Sequence, residues 1–120
     1  MKPLFRYRAR LTRVVDGDTV RLDLDLGLKI WVLDQILRLI DIDTPEIRGA
    51  ERQDGLRSKA FVVERLTGLG PDDLIVETIQ DSKGKYGRWL ARIHYRREGV
   101  WTDLNQELID TGHAKSLSRA

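Results

Sequence analysis

The chain contains no cysteine, so disulfides and thiol chemistry play no part in its function; compartment stays open, because a cysteine-free domain works in any of them. Its two histidines, His94 and His113, are too far apart and too isolated for a zinc site and are expected in ordinary surface or strand-end roles. No apolar run is long enough for a membrane span, and the opening residues MKPLFRYRARL lack the pattern of a signal peptide. The chain as given therefore reads as soluble, untargeted and without a membrane partner: cytoplasmic as it stands, secreted if a leader has been removed. It also lacks internal repeats, low-complexity tracts and linkers.

What remains is a sequence of 120 residues, 41% of them hydrophobic, which suits a single domain spanning 1–120 with one core. Net charge is only +2. A pI near 9.1 with abundant arginine still favours anionic partners.

Phe5, Tyr7, Ala9 and Leu11 alternate with Arg6, Arg8, Arg10 and Thr12, the period-two pattern of a strand with a basic outer face. That face either meets phosphates or is solvated by its arginines. Asp16-Gly17 then marks a tight turn. Val20, Leu22, Leu24 and Leu26 share one face of the next strand, with Arg21, Asp23 and Asp25 on the other. Asp18 has the parity of the leucine face, which makes it an inward-pointing carboxylate at a strand mouth. Gly27 breaks the run, residues 28–33 resume it, and Asp34-Gln35 mark a bulge or bend.

Residues 36–48, ILRLIDIDTPEIR, form the centre of the sequence. Apolar residues on both faces predict a buried strand, yet Arg38 and Asp43 enter it, and a buried unpaired charge costs several kcal/mol, roughly. Each needs an opposite charge, a metal or a ligand. Pro45 lacks an amide proton and should stop the ladder, leaving the carboxylates at a strand end. Strict alternation puts Arg38 and Asp43 on opposite faces, so a shared site requires a bulge or turn, expected between Asp41 and Pro45.

From residue 54 to 69 the period becomes helical, with Leu56, Ala60, Val63 and Leu66 on the apolar side, Asp54 as cap and Gly68 as stop. Residues 74–79 read as a fourth strand. A fifth opens at Arg88, with Trp89, Ala91, Ile93 and Tyr95 on one face. After a turn at Glu98-Gly99, Asp103 and Gln106 cap a second helix through Asp110, with Leu104 and Leu108 inward and Gly112 closing it. Five strands with one helix before the fourth and another after the fifth predict a small barrel closed by helices, mainly β with α.

Asp18 and Asp43 supply hard oxygen ligands from two strand ends, and the Thr44 carbonyl offers a third. That set suits Ca²⁺ or Mg²⁺, with waters and a substrate phosphate filling the open positions. Glu46 is placed to accept a proton from a water or orient it for attack on phosphorus, while Arg38 and Arg88 are suited to grip the phosphate. Alternatively, these carboxylates and arginines simply neutralise one another as ion pairs.

Three ordered blocks narrow this choice: Val15-Asp16-Gly17-Asp18-Thr19-Val20, residues 37–46 (LRLIDIDTPE) and Lys85-Tyr86-Gly87-Arg88. Together they resemble the signature blocks of the staphylococcal nuclease (thermonuclease) family, over about residues 10–115. The resemblance implies an OB-fold barrel and Ca²⁺-dependent hydrolysis of DNA and RNA to 3′-phosphate ends. It also implies roles: Asp18, Asp43 and Thr44 as calcium ligands, Glu46 as base, Arg38 and Arg88 as phosphate-binding pair, and Lys85 and Tyr86 near the nucleotide.

The sequence also departs from the family. Asp41 stands where the family usually has a small or apolar residue; it either tightens cation binding or faces solvent. The stretch from Asp18 to Arg38 is long, and Trp31, Val32 and Leu33 make it a protruding ribbon or an oligomer contact, so monomer and dimer both stay open. The family's third helix, and the tyrosines before it, have no counterpart by Ala120, which predicts weak substrate affinity, since stacking is worth roughly 1 to 3 kcal/mol per base. The rival functions are a non-catalytic OB module that binds nucleic acid or protein, and a structural assembly domain.

Overall fold

Alternation sets the first hairpin. β1 (Arg6–Asp16) and β2 (Thr19–Asp25) are antiparallel and joined through Gly17-Asp18, with Asp16 opposite Thr19. Ala9, Val14, Val20, Leu22 and Leu24 face inward, and Arg8, Arg10 and Arg13 face out. The outer arginines are partly neutralised: Arg8 pairs with Asp25 and Asp72, and Arg10 with Asp23. The computed structural model describes residues 5–80 and 89–117.

β3 (Trp31–Leu39) runs antiparallel to β2. The expected bulge is present: Asp34 adopts φ +52°, its N–H donates to Asp23 Oδ1 at 2.8 Å, and the register shifts between Leu22 and Leu24. β5 (Leu74–Gln80) pairs with β1 and with β6 (Trp89–Arg97), both antiparallel. β6 returns to β3 in a short parallel seam, Leu37 opposite Trp89, Arg38 opposite Leu90 and Leu39 opposite Ala91. The ring β3-β2-β1-β5-β6 is thus closed, a five-stranded barrel of the OB type, which removes the edges an open sheet would expose.

β7 (Val100–Asp103) pairs with the far half of β6. The turn between them has Glu98 and Gly99 at φ +51° and +78°, the two left-handed residues of a tight hairpin. Among the described residues there are two α-helices, α1 (Arg52–Leu66) and α2 (Leu104–Asp110). Asp103 caps α2 through the Gln106 N–H at 3.1 Å, as expected. The core joins Val20, Leu22, Leu37, Leu39, Val76 and Ile93 of the barrel to Val62 and Leu66 of α1 and Leu104 and Leu108 of α2.

Several details differ from the expectations. α1 begins after a 3₁₀ turn (Gly49–Glu51) without a side-chain cap, and it buries Gly55, Ser58, Val62 and Leu66. Leu56, Ala60 and Val63 are exposed, because the helix turns Gly55 and Ser58, with Val62 and Leu66, inward and lays Gly55 against the Glu46–Ile47 backbone. The strand after Gly27 resumes only at Trp31, since Leu28 and Lys29 adopt φ +56° and +64°. Ile36 is 48% exposed, so β3 is not buried on both faces; Leu26 and Trp89 are also exposed, at an end of β2 and of β6. Leu28, Ile30 and Leu33 protrude with Trp31 on the β2–β3 ribbon. β4 (Ile42–Asp43) and β8 (Lys115–Ser116) form a small second sheet that the sequence pattern did not announce.

Candidate functional site

The β1–β2 turn and the end of β3 meet at one corner of the barrel. Leu39 N–H donates to the Asp18 backbone oxygen at 2.8 Å, and Ile40 N–H to Ala91 O at 2.9 Å. Asp41 then reverses the chain at φ +67°, a conformation that costs an L-residue energy but is tolerated by Asp. This turn resolves the parity conflict. Arg38 Nη2 lies 3.3 Å from Asp43 Oδ1 and 3.5 Å from Asp18 Oδ2. Thr44 is buried, and its N–H donates to the same Asp18 oxygen at 3.2 Å. Asp18, Arg38, Asp43 and Thr44 therefore converge.

The electrostatics are those of crowded carboxylates. Burial opposes ionisation of Asp18, but contact with the Asp16 carboxyl, the Thr44 N–H, the Arg38 charge and the Thr19 hydroxyl outweigh it and hold its pKa below the ordinary value. Asp16 shows the reverse: burial and the neighbouring Asp18 push its pKa up to about 6. Asp16 also accepts the Asp18 N–H at 3.0 Å, which fixes the turn.

Close packing of small residues holds this corner in place. A Cβ on Gly17 would lie 2.8 Å from Ser58 Cβ and 3.0 Å from Thr44 Cγ2. One on Gly55 would collide with the carbonyl of Glu46 and lie 2.8 Å from the Ile47 nitrogen. Helix α1 thus sits directly on the backbone that carries Thr44, Glu46 and the β1–β2 turn. Ser58 Oγ reaches across to His113 O at 2.6 Å. On the other side, buried Asn105 donates to Ile40 O and Ala91 O, each at 3.0 Å, and accepts the Ile93 N–H at 3.1 Å. It therefore ties the end of β3 to β6 and α2.

Other expected residues are placed less centrally. Glu46 is exposed just beyond Pro45, and among the described residues its carboxylate has no hydrogen-bond or ion-pair partner. Lys85, Tyr86 and Arg88 lie outside the described residues. Asp41 is turned toward Arg92, with its Oδ2 3.0 Å from Nη2, and Arg92 also pairs with Asp103. His94 pairs with Glu77, and the His113 ring packs on Phe61 at 4.3 Å.

Asp18 and Asp43 both present carboxylate oxygens, the donor type a hard cation takes, and both are ion-paired to Arg38. Carboxylate oxygens of Asp18 and Asp43 both lie within 3.5 Å of one Arg38 nitrogen, so the guanidinium neutralises both, the ion-pair arrangement that the sequence left open as the alternative. Among the described residues no group of three or more His, Cys, Asp or Glu is arranged to hold a metal. A hard cation at this corner would need its further ligands from backbone, water or substrate.

Sequence reasoning treated Asp16 as a turn residue and did not single out Gly55, Ser58 or Asn105. Signals for two of them were available: a glycine inside a helix and an amide beside the apolar stripe of α2. A family model described as staphylococcal nuclease homologue matches residues 36–120. An uncharacterized protein of Methanocaldococcus jannaschii is 26% identical over 128 residues, an alignment that covers 91% of this chain. The chain spans 58% of that relative's length.

Proposed function

The chain belongs to the staphylococcal nuclease homologue family, which suggests a nuclease-related or nucleic-acid-binding function, and from that premise we propose a metal-dependent nuclease. It hydrolyses phosphodiester bonds of DNA and RNA with a hard divalent cation, Ca²⁺ ahead of Mg²⁺, and leaves 3′-phosphate ends. The observation that supports this most is the meeting of Asp18 and Asp43 around Arg38, although the two aspartates come from different turns.

In this reading Asp18, Asp43 and the Thr44 carbonyl hold the cation. When bound, it would offset phosphate charge and polarise the ester. The aspartates approach Arg38 at Nη2, which leaves its Nε–H and Nη1–H, among the described residues, for phosphate oxygens. Arg88 is the second phosphate ligand, with Lys85 and Tyr86 beside the nucleotide. Glu46, exposed to solvent, takes a proton from the attacking water as the water oxygen bonds to phosphorus; the bond to the 5′ oxygen breaks, and that oxygen leaves as a hydroxyl by taking a proton from solvent. Gly55 sets the position of the Glu46 backbone.

The test incubates the chain with single-stranded DNA and RNA, in Ca²⁺ or chelator, beside Asp18→Asn, Glu46→Ala and Arg88→Ala. Cleavage should require the ion and fall about 100-fold or more in the variants. Equal cleavage by all four proteins would overturn the role assignments. The pairing of both aspartates with Arg38 favours one other reading, a non-catalytic OB module, which would bind nucleic acid without calcium-dependent cleavage.

A further inference from the structure

A cavity of about 480 Å³ opens beside Asp43, Thr44 and Pro45, between α1 and residues 111–115. Its size is that of a small-molecule pocket. We propose that this cavity is a subsite for the nucleobase and sugar of the nucleotide adjoining the scissile phosphate. The ligand's identity rests on the nuclease reading; the site itself rests on the geometry.

The lining chemistry suits a base better than another phosphate. Arg57 and Lys115 offer donors, while Asp43, Glu51 and Asp54 offer acceptors, and Arg57 pairs with Asp54 at 3.1 Å, so the wall does not concentrate positive charge. Carboxylates accept from base amino groups, and guanidinium and ammonium groups donate to ring and carbonyl acceptors. The His113 ring also lines the cavity. Phe61 supports it at 4.3 Å, and Phe61 in turn carries the Arg65 guanidinium at 4.1 Å. A base in the cavity would add a stacking partner to that set, in the way unpaired bases stack on aromatic or histidine rings.

The walls are built before any ligand arrives. His113 and Ala114 both donate to Leu108 O, at 2.9 and 3.0 Å, and Ser58 Oγ clips His113 O. Residues 115–116 are held to β4, with Lys115 opposite Asp43, so the cavity and the carboxylate corner share one sheet. Asp43 lines the cavity and pairs with Arg38 at 3.3 Å, so a strand whose phosphate is held by Arg38 has this opening next to it for a neighbouring nucleoside.

The experiment compares wild type with His113→Ala, His113→Phe and Lys115→Ala, each checked for an unchanged melting midpoint. Steady-state cleavage of a short single-stranded oligonucleotide is combined with amide shifts on adding adenosine 3′-monophosphate. His113→Ala should raise KM roughly tenfold with kcat little changed, and His113→Phe should restore KM, since a ring remains. Shifts should centre on residues 111–115. Calcium-dependent cleavage with KM unchanged in His113→Ala overturns the subsite and leaves the nuclease reading intact. Mononucleotide shifts at 111–115 in a chain that never cleaves support the subsite and overturn the nuclease reading. Shifts confined to the Asp18–Arg38 side overturn the subsite.

Discussion

Replacing Gly55 with alanine sets two effects of known size against each other. Helix propensity alone favours alanine by about 1 kcal/mol. The added Cβ, however, would lie 2.5 Å from the Glu46 carbonyl carbon and 2.8 Å from the Ile47 nitrogen, well inside contact distance. These are backbone atoms, so no rotamer relieves the overlap; α1 or the 44–47 turn must move. Overpacking of this kind costs typically 1 to 3 kcal/mol, and a backbone clash belongs at the upper end. The net result is a loss of about 2 kcal/mol, or a melting midpoint about 8 °C lower for a chain of this size. Urea unfolding at fixed m-value measures it directly. The turn that moves carries Glu46, so calcium-dependent cleavage should fall more than stability does, by up to about 100-fold. A midpoint that rises would show that propensity dominates and that the helix does not rest on this turn.

Asn105→Ala removes three buried hydrogen bonds and leaves their backbone partners unpaired, so a loss of about 3 kcal/mol is expected by urea denaturation; a change below about 1 kcal/mol would refute the stapling role. Asp16 has a folded pKa raised to about 6, above its ordinary value of 3.8, so the folded state holds this proton more tightly than the unfolded state does. Stability therefore falls at this group as pH rises from about 4 to about 6, and the advantage of Asp16→Asn over wild type should grow across that window. A difference that stays flat with pH would contradict it. Calcium at about 100 times its Kd should stabilise wild type by about 2.7 kcal/mol in a thermal scan, and neither Asp18→Asn nor Asp43→Asn should keep that gain. Calcium stabilisation preserved in both variants would place the ion elsewhere.

The inward turn of Asp18 was legible from pleat parity, and the approach of Asp43 to Arg38 from the turn expected between Asp41 and Pro45, which overrides parity; the Asp34 bulge is likewise a local signal. The face of α1 was not. Helical periodicity weighs large apolar side chains, whereas this helix buries Gly55 and Ser58, whose value is that they occupy little space. β8 escaped notice because Lys115 and Ser116 carry no apolar signal; their pairing is dictated by Ile42 and Asp43. The role of Asn105 needs three backbone partners drawn from β3 and β6, which no window of sequence displays.

The parallel seam between β3 and β6 contains Arg38 itself, opposite Leu90. A ligand that holds the guanidinium thus acts on one of the two margins of the barrel wall, which are distant in the chain and paired over residues 37–39 and 89–91. Occupancy at the corner and opening of the wall become a single equilibrium. Amide exchange at Leu39 and Ile40, whose N–H groups are spent on Asp18 and Ala91, would report both at once.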